Sequence, residues 1–333
     1  MKDYFGRVSP EDYIRKWPQY CLVLNDVYIG SGGSIFDQNG EIHPLANFNY
    51  SFWKNLYNED FRPNNTVESF SYKQKVDLKE YKIQELPDQD NYIFAHHCHN
   101  IYVFGHIWDV FQDLQKIEEL NLDDKKLIIP KETKHVNNLD EHLSLFGYDK
   151  SKRISLDLPT HWTKGFENNS CNVLYKISKL YYPSPTAYPS QISKRGLTYL
   201  RSKYYKLCTD YPDQTKLYLQ RPKEDNRSVL NDKEVCAALE AKGFTIINGS
   251  ESITEHVRLF RNASIIIGAH GSLFRNMIFS DQNPVVYEFC AHNREDHNFE
   301  GIGKTMNLNY NWIKCDADSN FNIKIDLSLI KNL

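Results

Sequence analysis

The sequence predicts an α/β protein with two Rossmann-like domains that face a cleft, preceded by short β-hairpins. Strand-like and helix-like segments alternate through the second half of the chain, and the same alternation recurs in the first half. A proline-rich stretch, "YYPSPTAYPS" (residues 181–190), separates the two halves. The 333 residues suit two ordinary domains better than one. We therefore expect an N-terminal α/β domain over residues 1–180 and a C-terminal Rossmann-like domain over residues 181–333.

The first half is expected to begin with hairpins between residues 19 and 45, because Gly32-Gly33 and Asn39-Gly40 are good turn pairs. "GSGGS" (residues 30–34) resembles a phosphate loop, but no helix pattern follows it, which favours a plain hairpin. A strand at residues 91–95 and a helix from about Val103 come next. The strand "KKLIIPKE", a helix "NLDEHLSLFGYD" closed by Gly147 and the strand "KRISLDL" follow. This order predicts a parallel sheet.

The second half has the pattern of a doubly wound α/β sheet. Its predicted helices are "KRGLTYLRSKYYKLC", "DKEVCAALEAKG", "SITEHVRLFRNA" and "SLFRNMIF", and its predicted strands are "KLYLQ", "FTIIN", "SIIIG" and "VVYEF". The prolines of "YYPSPTAYPS" argue against a long helix or a central strand in that segment. We therefore place the junction of the two domains near it.

Composition excludes several classes of protein. The chain is 41% hydrophobic with a net charge of −3, so a basic surface for nucleic acid is not expected. Seven cysteines are scattered without a CxxC pair, which indicates neither a disulfide framework nor a zinc ribbon. The N-terminus has no signal pattern, and no apolar run approaches the roughly 20 residues of a membrane span. We expect a cytoplasmic protein, or the soluble fragment of an anchored enzyme, without a transmembrane segment; peripheral membrane association is compatible with this.

Candidate binding residues follow the predicted strands of the second half. In open α/β sheets, ligands bind beyond the carboxyl ends of the strands. Arginine forks and the free N–H groups of a helix start suit a diphosphate, and a carboxylate at a strand end can accept hydrogen bonds from ribose hydroxyls. The residues at these positions are Arg221, Lys223, Arg227, Gly268, His270, Gly271, Ser272, Arg275, Asn276 and Glu288. Together they predict a nucleotide diphosphate pocket, although glycines and single cations at such turns are also common for chain geometry alone.

The same segment resembles the C-terminal half of glycosyltransferase family 61. The resemblance lies in the arginines Arg221 and Arg227, an asparagine-rich helix start at Asn231, the block from Leu259 to Phe279, and the strand that ends at Glu288. "HGSLFRN" stands where the family usually has "HGAGLTN", so Phe274 and Arg275 depart from the pattern. The first half is similar more weakly, in its early hairpins, "HNIYVFGHIWDVFQDL" and "EHLSLFGYDKSKRISLD".

The resemblance implies a GT-B arrangement with the nucleotide-sugar donor held mainly by the C-terminal domain and the acceptor mainly by the N-terminal one. It implies an inverting hexosyl- or pentosyltransferase that uses a UDP-linked donor and a glycan acceptor, with no obligatory cofactor or divalent metal. Arg221, Arg227, Asn231 and the His270 block would then bind the donor, with His270 as a hydrogen-bond donor and not as the catalytic base.

Inverting transfer needs a base for the acceptor hydroxyl and a group that stabilises the leaving diphosphate. Asp109 is the candidate base, since burial beside Trp108 would raise its pKa towards a useful value. His106, or else His97, is the candidate orienting group or alternative base. The spacing His106-x-x-Asp109 is shorter than the family's usual His-x-x-x-Asp, so Asp109 carries over better than His106. The alternative is that Asp109 is an ordinary solvated helix residue.

Two other functions stay open. The cluster His96, His97, Cys98 and His99 has metal-ligand types, which would suit a metal-dependent hydrolase. Adjacent strand residues point to opposite faces, so at most part of the cluster converges and no metal site is expected. Asp88-Gln89-Asp90 and Asp316-Ala317-Asp318 fit the short DxD pattern, which arises readily by chance in polar loops. The other alternative is a catalytically inactive module that binds nucleotide sugars; a dehydrogenase is disfavoured because no GxGxxG opens a βαβ unit.

Overall fold

The structure is a computed structural model that describes most of the chain in segments. These are residues 21–30, 33–43, 75–87, 91–95, 107–131, 139–158, 172–184, 186, 192–209, 213–221, 227–294 and 298–331. The chain divides into two compact units. Trp17–Pro189 form one, called here the N-terminal unit; Ser190–Leu333, together with Met1–Lys16, form the other, called the C-terminal unit.

The N-terminal unit contains a mixed sheet of seven strands. They are β1 (Cys21–Ile29), β2 (Ile35–Phe36), β3 (Lys82–Glu85), β4 (Tyr92–Ile93), β5 (Lys126–Pro130), β6 (Arg153–Leu156) and β7 (Val173–Pro183). The spatial order is β2-β1-β7-β4-β5-β6, and β3 also pairs with β7. Strands β7, β4, β5 and β6 run parallel, whereas β1 is antiparallel to both β2 and β7. Helices α1 (Ile107–Glu119) and α2 (Leu139–Leu145) connect the parallel strands.

Local sequence patterns account for most of this unit. The pairing of β1 with β2 confirms the first hairpin, and the second is confirmed by the bridge of Phe36 to Ile42 around a turn in which Gly40 has a φ of 74°. The predicted order from β4 through α1, β5 and α2 to β6 is also confirmed. Gly147, with a φ of 83°, follows α2 as expected of a residue that ends a helix.

Strand β7 corrects the sequence analysis. "YYP" at residues 181–183 ends a strand that pairs with β1, β3 and β4 and so lies centrally in the sheet. The segment tolerates its proline because Pro183 is the last residue of the strand, where a missing N–H removes little of the ladder. The boundary expected between residues 180 and 181 falls inside this strand, and the two compact units divide between residues 189 and 190.

The C-terminal unit contains a fully parallel sheet of five strands. They are β8 (Thr215–Leu219), β9 (Thr245–Ile247), β10 (Ala263–Ala269), β11 (Val285–Ala291) and β12 (Asn309–Cys315), in the order β12-β11-β10-β8-β9. Its helices are α3 (Lys194–Tyr204), α4 (Asp232–Glu240), α5 (Ile253–Arg261), α6 (Asn298–Met306) and α7 (Leu327–Lys331), and Ser272–Phe279 form a 3-10 helix. Among all the residues described in either unit, no helix combines the length and apolar character needed to cross a lipid bilayer.

Helices cover both faces of this parallel sheet. One face packs Tyr218, Ile267 and Phe289 against Val235 and Leu239 of α4. On the other face, α3, α5 and α6 contact the 3-10 helix that follows β10. Ser193 and Ser252 start α3 and α5 as N-caps, since each side chain accepts a hydrogen bond from a backbone N–H three residues on.

The strands and helices predicted for this half are confirmed, with one difference and several additions. "SLFRNMIF" forms a 3-10 helix and not an α-helix. Strand β12 and helices α6 and α7 were not predicted. The mixed α/β class is therefore confirmed, and the parallel strands of both units place several loops at the carboxyl ends of strands.

Helix α1 carries a buried polar network. Lys116 Nζ donates to the backbone oxygen of Ser184 and to Thr186 Oγ1, both at 2.6 Å. The backbone N–H of Thr186 donates to Asp113 Oδ1 at 2.6 Å, and Lys116 Nζ lies 3.9 Å from the same oxygen. Burial raises the pKa of Asp113 to about 7, despite the opposing effects of Lys116 and Thr186 and with a further increase from Asp109. This network connects α1 to the residues that follow β7.

The raised pKa of Asp113 predicts that the fold becomes less stable as the pH rises towards neutrality. Because the native state favours the protonated carboxyl, its contribution to stability is complete in acid and is lost as the pH rises from about 4 to about 7. In Asp113→Asn the amide keeps the hydrogen bond from Thr186 and cannot ionise. We expect the melting temperature of the variant to increase relative to that of the wild type as the pH rises through this range. Thermal unfolding of both proteins at several pH values measures this difference. If the melting temperature of the wild type instead increased relative to that of the variant, Asp113 would be ionised beside Lys116.

Candidate functional site

The candidate site lies at the carboxyl edge of the C-terminal sheet. The register places Gly268 of β10 opposite both Leu219 of β8 and Glu288 of β11, so the three strands end side by side. The residues that follow them, Arg221 and His270, therefore meet at one edge. Gly268 permits this approach, because a Cβ there would lie 2.7 Å from Leu219 Cβ and 2.8 Å from Leu219 O.

Arg221 is joined to the turn after β10. Its Nη1 donates to the backbone oxygen of His270 at 2.8 Å. Gly271 has an extended backbone that any residue could adopt, but a Cβ at this position would collide with Arg221 Nη1. Gly271 is thus required for space: it lets the guanidinium lie against the turn.

His270 is held from behind by a buried carboxylate. Its Nδ1 lies 2.6 Å from Glu288 Oε1, and the hydroxyl of Tyr310 on β12 donates to Glu288 Oε2 at 2.7 Å. Glu288 is 0% exposed, and the ring of His270 packs on that of Phe299 with centroids 4.9 Å apart. Both carboxylate oxygens of Glu288 therefore have hydrogen-bond partners within the protein, and its expected role as an acceptor for ribose hydroxyls stays a prediction.

A small cleft opens beside His270. Its lining residues are Arg227, Ala269, His270, Phe289, Cys290, Ala291, Arg294, Phe321 and Ile323. Arg227 and Arg294 bring two positive charges, and no carboxylate stands among these residues. The guanidinium of Arg294 lies over the ring of Phe321, 5.6 Å from its centroid. The cleft is therefore suited to an anion with an apolar part.

Two of the cleft residues adopt an unusual backbone conformation. Arg227 and Phe321 have φ values of 71° and 61°, in the left-handed region that bulky side chains rarely occupy. The backbone N–H of Arg227 donates to the oxygen of Asn320 at 3.3 Å, which joins the two turns. The Asp318 carboxylate accepts from Asn320 N, Asn322 N and Asn322 Nδ2 and so shapes the turn that carries Phe321. Asp318, part of a DxD sequence, thus has a structural role.

Arg294 and Phe321 were missed by the sequence analysis, as was Tyr310. Arg294 follows the end of β11 in the way that Arg221 follows β8, and the same rule would have found it had it been applied beyond Phe289. Phe321 and Tyr310 follow or belong to β12, which was not predicted as a strand. No local motif marks either residue.

The other predicted donor residues occupy different positions. Asn231 uses its side-chain amide to hold Ile325, donating to its oxygen at 2.8 Å and accepting from its nitrogen at 3.0 Å. Ser272 is exposed at the start of the 3-10 helix. Arg275 and Asn276 are each only 1% exposed, so their side chains lie in the interior and not on the cleft surface.

The predicted catalytic residues belong to the N-terminal unit. Asp109 lies in the first turn of α1 and is 1% exposed, beside the buried Trp108. It is therefore not the solvated helix residue that the sequence left as an alternative. His106 and the cluster His96–His99 lie outside the described residues.

One group in the C-terminal unit has metal-ligand chemistry. Ligand atoms of His270, Glu288 and Cys290 lie within 4.8 Å of one another, and all three residues are buried. The carboxylate is already bound to His270 and Tyr310, and Arg227 lines the same cleft as His270 and Cys290. A metal ion bound by these three residues would therefore share its ligands with these hydrogen bonds and would lie beside an arginine.

Comparison with known protein families decides the class of protein. The family model described as glycosyltransferase 61 matches residues 94–287, more than half of the chain. The chain belongs to glycosyltransferase family 61. A search of curated proteins found no match.

Membership in glycosyltransferase family 61 makes the protein a glycosyltransferase, with a sugar donor and a glycan acceptor as its substrates. The matched residues include helix α1 with Asp109 in the N-terminal unit. They also include Arg221, Arg227 and His270 at the edge of the C-terminal sheet, and they end beside Glu288. The family match thus contains nearly all the residues that the sequence analysis selected.

Substitution by alanine is expected to have different effects at the two glycines of this edge, Gly268 and Gly271. Gly268→Ala places a Cβ against the backbone of β8 and is expected to destabilise the fold by about 1–3 kcal/mol. Gly271→Ala meets only the end of the flexible Arg221 side chain, so the melting temperature should change little while Arg221 is displaced. Thermal unfolding and calorimetric titration with a nucleoside diphosphate separate the two effects. Equal loss of stability in both variants would contradict the assignment of Gly271 to the site.

Proposed function

We propose that the protein is an inverting glycosyltransferase that transfers a sugar from a nucleotide diphosphate donor to a glycan acceptor. UDP is the expected nucleotide, and the arrangement is GT-B-like with the donor bound at the edge of the C-terminal sheet. The reaction has no obligatory metal in this proposal, because arginine and histidine side chains take the place of a cation at the diphosphate.

The observation that carries this proposal is the convergence of positive groups at one sheet edge. Arg221 contacts the backbone of His270, and Arg227, Arg294 and His270 line a single cleft. Guanidinium groups bind phosphate oxygens bidentately, and they stabilise negative charge that develops on a leaving group. The apolar floor of Phe289 and Ile323 suits the remainder of a nucleotide.

In this mechanism the hydroxyl oxygen of the acceptor attacks the anomeric carbon of the donor sugar, while the bond from that carbon to the diphosphate breaks. Attack from the opposite face inverts the configuration. The acceptor proton passes to a base, and the electron pair of the broken bond stays on the diphosphate. Arg221, Arg227 and His270 would stabilise this charge by hydrogen bonds that strengthen as it develops.

We propose Asp109 as the base, with His106 as the group that orients it or acts in its place. A carboxylate taken out of water is a stronger base than a solvated one, and Asp109 is almost completely buried. For catalysis the acceptor hydroxyl must reach this carboxyl directly, which would also exclude water from the reaction.

A second candidate function is a module that binds nucleotide sugars without transferring them. The low exposure of Asp109 favours it, since a base must contact the hydroxyl that it activates. Such a module would bind the donor at the same cleft and would leave it intact. Measurements of binding and turnover on one sample distinguish the two functions.

The donor assignment predicts selective stabilisation by nucleoside diphosphates. A ligand at about 100 times its Kd adds about 2.7 kcal/mol to stability, which corresponds to a rise of about 5–10 °C in a unit of this size. We expect UDP to give such a shift and NAD or ATP to give none, because the cleft is expected to select the nucleotide as well as the phosphates. Arg221→Gln should abolish the shift, whereas Arg258→Gln, which removes an arginine paired with Glu255 on α5, should retain it. A wild type that no nucleoside diphosphate stabilises would exclude the proposal.

The base assignment predicts that Asp109→Asn lowers turnover by at least about 100-fold and leaves UDP affinity unchanged, because only proton transfer is lost. The matched control is Asp113→Asn, the same change one helical turn further along α1 in another buried carboxyl. Release of UDP from UDP-sugars, measured with a panel of glycan acceptors, reports turnover. Near wild-type turnover in Asp109→Asn would remove Asp109 as the base.

A further inference from the structure

We propose that Tyr310 is a positioning residue of the donor site, which acts through Glu288 to keep His270 oriented towards the diphosphate. This inference rests on the proposed function, because it explains how His270, one of the proposed donor-binding residues, is held in place. Tyr310 lies on β12, outside the residues that match the family, and no sequence motif marked it.

The contacts form a short chain from β12 to the cleft. Tyr310 donates to one oxygen of Glu288 at 2.7 Å, and the other oxygen accepts from His270 Nδ1 at 2.6 Å. His270 itself lines the cleft. Since Nδ1 lies at hydrogen-bond distance from Glu288, this contact fixes the orientation of the imidazole ring beside the cleft.

The burial of Glu288 explains why these contacts matter. Glu288 is completely buried, so its carboxyl oxygens must find their hydrogen-bond partners within the protein. Tyr310 and His270 are such partners, one at each oxygen. The Tyr310 hydroxyl would hold the carboxyl group in one orientation, and the carboxyl group would in turn fix the plane of the His270 ring.

Other ionisable groups surround the pair on every side that the structure describes. They are Cys290 on β11, Glu300 on α6, Arg221 after β8, and Arg227 and Arg294 in the cleft. Burial, with a smaller effect of Glu288, holds the pKa of Tyr310 well above its ordinary value, so the phenol remains a donor.

Helix α6 packs against both ends of this series of hydrogen-bonded residues. Phe299 packs on the ring of His270, and Gly303 lies one turn later beside the ring of Tyr310. A Cβ at Gly303 would lie 2.5 Å from Tyr310 Cδ2, so a larger residue there would displace the phenol. One face of α6 thus fixes both ends of the chain.

The test is Tyr310→Phe, which removes the hydroxyl and keeps the ring. The matched control is Tyr218→Phe, because the Tyr218 hydroxyl also donates to a buried carboxylate, Asp232 Oδ1 at 2.8 Å, on the opposite face of the same sheet. The affinity for UDP is measured by calorimetry at neutral pH. Melting temperatures of both variants are measured alongside.

We expect Tyr310→Phe to bind UDP roughly threefold to tenfold more weakly at neutral pH. Tyr218→Phe should lose comparable stability and keep the wild-type affinity. A wild type that binds UDP and a Tyr310→Phe variant with the same affinity would overturn this inference alone, as would equal weakening in both variants. A wild type that binds neither UDP nor another nucleoside diphosphate would overturn the proposed function, and the inference with it.

Discussion

The buried carboxylate of Glu288 is the constraint on which the edge of the C-terminal sheet depends. A carboxylate that is completely removed from water must find hydrogen-bond donors within the protein. Strand β11 lies between β12 and β10, and each of these two neighbouring segments provides one donor. Tyr310 comes from one side and His270 from the other. A one-residue shift in the register of β12 would turn Tyr310 to the opposite face and leave one oxygen of Glu288 without this donor. The requirements of Glu288 thus specify the arrangement of three strands as well as the orientation of His270.

The same edge shows how close packing of parallel strands creates a binding surface. Gly268 brings β10 against Leu219, so that the chain leaves β8 and β10 at nearly the same point. Arg221 can then reach across to the carbonyl of His270, and Gly271 leaves room for its guanidinium. Since the backbone supplies the acceptor, the position of Arg221 depends on main-chain geometry more than on other side chains. Cations on separate loops are thereby brought together before any ligand arrives, which lowers the entropic cost of binding.

Sequence patterns predicted the elements of this fold better than they predicted its contacts. Apolar periodicity located β8, β9, β10 and β11, and the rule that ligands bind at strand ends located Arg221 and His270. The apolar periodicity and the strand-end rule both use only residues that are close together in the sequence. Tyr310 contacts Glu288 only because β12 pairs with β11, and that pairing leaves no mark in the local sequence. Strand β7 was missed for a related reason, since the proline at its end outweighed the alternation before it. Arg275 illustrates the remaining limit: its residue type suggested a contact with an anion, and only the packing shows that it is buried.

The charges of the cleft also bear on the choice between an anion and a metal ion. His270, Glu288 and Cys290 have the types and the spacing of zinc ligands, and Cys290 could contribute a thiolate. To coordinate a metal, Glu288 would have to give up hydrogen bonds to His270 and Tyr310, and the ion would enter a cleft that already holds Arg227 and Arg294. A diphosphate requires neither change: it compensates the arginines and leaves the Tyr310–Glu288–His270 chain intact. The group that resembles a metal site is therefore explained more economically as the support that orients His270, which agrees with the proposed binding of a diphosphate at this edge.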